Sequence, residues 1–216
     1  MILAIDTTHE YGSMALLADG AILEEKLLHA EDGFGHVLYG HLSAMLERHG
    51  RRVQDVECFA AAAGPGSFTG VRIGLACVKG LAEALGKPVA PVSNLQALAS
   101  FGTGPRRAVF IDAHRGEIYG AVYDAELNPV TPERVIKFPD WLLTLPAGPV
   151  EFISADPSPF RTLIAGARVL EAPRALAAAI ARIALARLRQ GLAVDPEVVD
   201  ANYVRRSDAE LLWKEN

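Results

Sequence analysis

Cysteine is nearly absent from this chain: 216 residues contain two, Cys58 and Cys77, both in or beside apolar segments. That reads as two buried, reduced thiols rather than a disulfide staple or a metal pair. Basic runs are missing too. The longest are the pairs Arg51-Arg52, Arg106-Arg107 and Arg205-Arg206, and the net charge is -5. A protein that grips RNA backbone alone needs a basic stripe to neutralise phosphates, so direct RNA binding is not expected. No apolar run approaches membrane-spanning length, and the start MILAIDTTHE has no basic region followed by an apolar stretch, so neither export nor membrane insertion is expected and a cytoplasmic location follows. Histidines at metal-binding spacing are also lacking. His36 and His41 are the nearest candidates, yet at 3.6 residues per turn side chains five apart diverge by about 140°. No metal site is expected, and a peptidase-like metalloprotein is disfavoured.

What is present is ordinary globular composition, 50% apolar and 22% charged, enough for one large domain or two small lobes. Met1 to Asp6 and Gly12 to Leu17 read as a hairpin around DTTHEYG, and 21–28 as a third strand. Apolar residues at 3-4 spacing predict an amphipathic helix over 36–49, closed by Gly50. The apolar segment 57–63 leads into the glycine-rich turn GPGSFTG, and 71–85 follows as a helix ended by Gly86. That helix is apolar nearly all round, so it must be covered on two sides, and a second protein is the natural cover for one of them.

A strand over 87–92 and a short helix over 94–100 precede FGTGPRR, the best candidate boundary between lobes, which gives an N-terminal lobe of 1–103 and a C-terminal lobe of 104–216. Beyond it, FIDAHRGEIYGAVY repeats the opening AIDTTHEYGSMALL: an apolar strand ending in Asp, a short turn and a second apolar strand. Strands near 134–138 and 150–154, a helix at 139–145 and an alanine-rich helix at 174–190 complete the reading. No element is assigned to the tail DANYVRRSDAELLWKEN.

Paired Asp-bearing hairpins resemble the actin, Hsp70 and sugar-kinase superfamily. Within it, GPGSFTGVRIGLACVKGLA at 64–82 closely resembles the signature of the TsaB, or YeaZ, family. The opening MILAIDTT, the hairpin IDAHRGEIYGAVY and the ending NYVRR also stand where that family has them. The resemblance implies an α/β, actin-like ATPase (ribonuclease H-like) duplicated two-lobe fold, with mixed sheets flanked by helices. It implies a non-catalytic scaffold subunit that binds a TsaD-type transferase for N6-threonylcarbamoylation of adenosine 37 in tRNAs reading ANN codons. A TsaE-type ATPase would be the third partner, and tRNA would be met only through the complex. No tightly bound cofactor is implied; ATP or ADP would sit at the interface with the partner.

The two helices, packed side by side, are expected to present Leu38, Leu42, Met45, Val71, Arg72, Leu75, Val78, Lys79 and Ala82 to the partner, or to a second copy in a homodimer when alone. Asp6, Thr7, Ser13, Ser67, Thr69 and Asp112 are the candidates for a vestigial or shared nucleotide site. GPGSFTG has three readings: a tight turn with Thr69 as N-cap, an independent phosphate site at a helix N-terminus, or a nucleotide edge shared with the partner. It lacks the Gly-Lys-Ser/Thr ending of a P-loop. The bulky, acidic turn after Asp6 and Glu117 after Asp112 argue against ATP hydrolysis. The rival is an independent small ATPase or kinase using Asp6, Asp112 and the turn on a metal-bound nucleotide.

Overall fold

The computed structural model describes residues 1–30 and 33–204. In chain order the elements are β1 (Ile2–Asp6), β2 (Tyr11–Ala18), β3 (Ala21–His29), α1 (Leu38–Arg48), β4 (Cys58–Ala62), α2 (Phe68–Leu85), β5 (Val89–Val92), α3 (Asn94–Ala99), β6 (Arg107–Asp112) and β7 (Glu117–Tyr123). β8 (Arg134–Lys137), α4 (Phe138–Leu143), β9 (Glu151–Ser154), β10 (Arg168–Glu171) and α5 (Ala177–Arg189) follow, with short 3-10 turns between. The elements read from the sequence are present. The strand β10 was not foreseen, because four residues carrying a charge at each end show no alternation long enough to detect.

The described chain forms two compact units. The first contains Met1–Asn94 and Arg174–Asn202, the second Leu95–Pro173. The first holds a mixed sheet ordered β3-β2-β1-β4-β5, in which β1 is antiparallel to β2 and parallel to β4. β1 and β4 are buried along their whole lengths, so both faces of the sheet are covered. Leu3, Ile5 and Phe59 share one core with Leu38, Leu42 and Met45 of α1 and with Val71, Leu75 and Val78 of α2. α5 packs against β1, β2, β4 and β5. A near-continuous apolar run in each strand is what such two-sided burial requires.

The second unit repeats the arrangement as β8-β7-β6-β9-β10, again with an antiparallel hairpin followed by parallel neighbours. This is a duplicated α/β architecture. Its core is aromatic: Phe138 stacks on Phe160 with centroids 4.5 Å apart, and Phe110 meets both rings edge-on.

A boundary at residue 103 is not what divides the units. FGTGPRR is folded into the second unit rather than left as a spacer: the buried Glu151 carboxylate accepts the Thr103 and Gly104 amides at 2.8 Å each and pairs with Arg168. Residues 174–202 return to the first unit because its sheet needs α5 on its second face. The start of α5 is fixed there by Ser13, whose hydroxyl accepts the Leu176 and Ala177 amides at 3.1 and 3.0 Å. Glu25 accepts the Ala178 amide at 2.7 Å, which completes a cap built from two neighbouring strands. Arg205, Arg206 and the tail after them lie outside the described residues.

Candidate functional site

Two features of the first unit carry the candidate chemistry: the turn after β1 with the glycine-rich turn packed on it, and the outer surface of α1 and α2.

Asp6 ends β1 with 1% of its surface exposed. Its Oδ1 accepts the Thr8 amide at 2.9 Å and the Thr8 hydroxyl at 2.7 Å. The Asn94 carboxamide donates to the same hydroxyl. With the hydroxyl proton given to Asp6, His9 Nδ1, 2.9 Å from Thr8 Oγ1, is a donor, so the imidazole carries its proton on Nδ1. Burial pushes the His9 pKa below its ordinary value, and the Asp6 charge opposes that shift. Asp6 Oδ2 and Asn94 Oδ1 have no hydrogen-bond partner among the described residues.

GPGSFTG lies directly against this turn. The Ser67 amide donates to the Thr8 carbonyl at 2.7 Å, and the Thr7 hydroxyl donates to the Gly70 carbonyl at 2.7 Å. A Cβ at Gly66 would come within 2.7 Å of the Thr8 carbonyl oxygen, and one at Gly74 within 2.7 Å of Thr7 Oγ1. The glycines are there so that a helix can touch backbone. The N-cap of α2 is Ser67, whose hydroxyl accepts the Gly70 amide at 3.2 Å, rather than Thr69, which is an exposed residue of the first turn. Of the residues proposed for a nucleotide, Thr7 and Ser67 therefore serve this packing, and Ser13 is fully buried as the cap of α5. Thr7 and Ser13 are thus engaged inside the unit, while Ser67 and Thr69 are exposed at the start of α2.

Asp112 belongs to the second unit. Its Oδ1 accepts the His114 amide at 2.8 Å and holds a turn in which His114, Arg115 and Gly116 are all left-handed, with φ of 64°, 57° and 75°. Among the described residues no group of three or more His, Cys, Asp or Glu gathers to hold a metal ion, and no helix is long and apolar enough to cross a membrane. Both cysteines are buried free thiols, and desolvation raises the Cys58 pKa to about 11.

The expected docking residues need correction. Leu38, Leu42, Met45, Val71, Leu75, Val78 and Ala82 all point into the core of this chain. The near-continuous apolar surface of α2 is explained internally. The sheet lies beneath it, and Tyr39 of α1 reaches Cys77 on one flank through a side-chain hydrogen bond. On the other flank the chain's own residues 194–202 run past, with Val199 buried in the same core. Lys79 is not an outward cation, since its ammonium donates to the Val199 carbonyl at 2.8 Å. Arg72 is exposed, with its guanidinium 3.7 Å from the centroid of the Phe68 ring.

The exposed residues of α1 and α2 include Tyr39, Glu47, Arg48, Phe68, Arg72 and Glu83, and among them stand small ones: Gly40 and Ser43 on α1, Ala76 and Gly80 on α2. A Cβ at Gly40 or Gly80 would meet nothing within 4 Å. Glycine inside a helix costs about 1 kcal/mol relative to alanine. The first unit accepts that cost twice, on adjoining helices, with no internal contact requiring it. Sequence periodicity could not expose this pair, since it reports where apolar residues lie and not where a missing side chain is unused.

The duplicated sheets and paired Asp hairpins define the class: a protein of the actin-like, ribonuclease H-like fold. A family model described as "TsaD: tRNA N6-adenosine threonylcarbamoyltransferase" matches residues 30–188. The chain is 33% identical over 171 residues to the tRNA threonylcarbamoyladenosine biosynthesis protein TsaB of Bacillus subtilis, covering 76% of this chain and 74% of that protein. To TsaB of Escherichia coli it is 36% identical over 133 residues, 60% of this chain and 57% of that protein. The solved structure of YeaZ from Pseudomonas aeruginosa superimposes with a TM-score of 0.76 at 27% identity, covering 94% of this chain and 98% of that one. The chain belongs to the TsaB, or YeaZ, family.

Proposed function

We propose that this chain is the non-catalytic scaffold subunit of a tRNA threonylcarbamoyladenosine system, and that the outer face of α1 and α2 docks a TsaD-type transferase. The observation that carries this reading is the exposed pair Gly40 and Gly80. Two helix glycines unused by their own chain let helices of another chain approach closely, as small residues do wherever helices pack backbone to backbone. A match to the TsaD model over 30–188 supports a partner of related fold, which would bring equivalent helices to the contact in a pseudo-two-fold arrangement. When alone, the same face pairs with a second copy as a homodimer.

In this reading the partner transfers threonylcarbamoyl to adenosine 37 of tRNAs reading ANN codons, in the cytoplasm, with a TsaE-type ATPase as third component. The tRNA is met through the complex, which suits a net charge of -5. The engagement of Thr7, Ser13 and Ser67 inside the first unit supports assigning ATP or ADP at the interface mainly to the partner, and supports a chain that does not turn over nucleotide by itself.

The test is size-exclusion chromatography with light scattering on this chain and the TsaD-type protein of the same cell, comparing wild type with Gly40→Leu and Gly80→Leu. Leucine on an exposed helix face leaves the fold intact but fills the approach, and the mixed complex is expected to weaken at least tenfold. Co-elution of both variants with the partner to the wild-type extent would overturn the docking face.

A further inference from the structure

The residues that flank α2 on the side away from α1 run beside the helix that carries Ala76 and Gly80. After α5 the chain turns at Gly191, pairs Val194 with Val89 at the edge of the first sheet, and forms a 3-10 turn over Pro196–Val198. The turn is held at every step. Asp195 accepts the Glu197 amide at 2.8 Å, Lys79 of α2 donates to the Val199 carbonyl at 2.8 Å, and the Asn202 amide donates to the Ala63 carbonyl at 2.7 Å. Pro196 and Val199 are buried, but Val198 between them stands 69% exposed on this pinned turn. Lys79 marks where it stands. At 3.6 residues per turn Lys79 lies roughly 60° around α2 from Ala76 on one side, and Cys77, which bonds Tyr39, roughly 100° on the other. Around the helix axis Ala76 and Gly80 thus form a small-residue floor between the side of α2 that meets Tyr39 of α1 and the side that meets the strap carrying Val198.

We infer that residues 196–199 are a third element of the docking surface, and that Val198 is an apolar contact for the partner helix lying on Ala76 and Gly80. This rests on the docking face proposed above and commits to the same occupant, a helix of the TsaD-type subunit. A floor of one methyl group and one bare Cα leaves the flanks of a helix about 10–12 Å across to be met from either side. Arg72 on Phe68 and Val198 on its turn supply that flank. A lone exposed valine would ordinarily need no explanation. This one stands on a turn whose next carbonyl, that of Val199, is held by the Lys79 ammonium, beside a helix face where Gly80 has no internal use.

The experiment measures partner affinity by calorimetry for Val198→Asp, Val198→Ser, Leu192→Asp and Gly80→Leu, with thermal unfolding of each variant alone. Leu192 is exposed on the same strap but lies beyond the Val194 pairing, away from Lys79. Val198→Asp is expected to weaken binding tenfold or more and Val198→Ser several-fold, with unfolding unchanged, while Leu192→Asp binds within twofold of wild type. Wild-type affinity in Val198→Asp together with loss in Gly80→Leu would remove the strap from the surface and leave the docking face standing. Wild-type affinity in both would overturn the face and the inference together.

Discussion

Replacing Gly70 by alanine should damage this protein far more than the same change at Gly80, although both are glycines within one helix. The Gly70 Cβ would overlap the Thr7 carbonyl oxygen and stand 3.0 Å from its carbon and 3.2 Å from Thr8 Cα. These are backbone atoms at the end of a buried strand, and the Thr7 hydroxyl is bonded to the Gly70 carbonyl, so neither side can yield alone. Overpacking typically costs 1–3 kcal/mol, with the upper end apt for backbone. Losing or bending the buried hydrogen bond adds about 1 kcal/mol, and the helix propensity of alanine returns about 1 kcal/mol. The net is about 3 kcal/mol of lost stability. At Gly80 nothing lies within 4 Å, so only the propensity gain of about 1 kcal/mol remains. At about 2–4 °C per kcal/mol for a chain of this size, Gly70→Ala should lower Tm by roughly 6–12 °C and Gly80→Ala raise it by roughly 2–4 °C. Gly74→Ala should fall between, because it meets a hydroxyl that can rotate. Differential scanning calorimetry on the isolated chain reads all three. A Gly70→Ala protein melting within 2 °C of wild type would refute the claim that the glycine-rich turn exists to bring α2 onto Thr7 and Thr8.

Ser13→Ala removes the hydroxyl that accepts the Leu176 and Ala177 amides at the start of α5, and should cost about 1–2 kcal/mol in urea unfolding without altering the denaturant slope. His9 and His41 both sit below the ordinary value of 6.5, His9 through burial and His41 through burial and then the neighbouring Lys26 and Arg48 charges. Depressed folded-state values mean that the unfolded chain binds more protons. Their contribution is therefore present above pH 6.5 and lost as pH falls through the folded values. Tm should decline on going from pH 7 to pH 5, and a His9→Asn/His41→Gln double variant should show a shallower decline; an identical slope would exclude both groups.

Why the sequence revealed the elements but not that the apolar stripes of α1 and α2 are buried within the chain has a physical cause. Periodicity locates apolar stripes, and Leu38, Leu42 and Met45 or Val71, Leu75 and Val78 are stripes of the right kind. It does not say what they face. Here the cover for α2 comes from residues 194–202, more than a hundred positions away, a contact no local pattern encodes. Ser13 was misjudged for the same reason. A serine beside an Asp-bearing turn looks like a phosphate ligand until α5 returns to place two amides on it. Conversely, the hairpins, the Gly86 cap of α2 and the repeated strand–Asp–turn unit are local, and local chemistry made them legible.

The two Asp-bearing hairpins show how one repeated motif sits in different surroundings. In each, a strand ends in Asp, and Oδ1 accepts the amide two residues on, at 2.9 Å for Thr8 on Asp6 and 2.8 Å for His114 on Asp112. The repeat is thus conserved in its turn chemistry, an Asx turn closing a hairpin. The halves differ in what packs above. In the first unit Gly66, Gly70 and Gly74 let α2 settle on the turn, and Asp6 becomes buried among Thr8, His9 and Asn94. In the second the turn is held by Lys137, which donates to the Arg115 carbonyl, and His114 and Arg115 stay exposed. Settling α2 onto the first turn engages the Thr7 hydroxyl, which donates to the Gly70 carbonyl. It also fixes the angle at which α2 shows Ala76 and Gly80 to the outside. The approach of α2 to the Asp6 turn and the outward face it leaves are two consequences of the same three glycines.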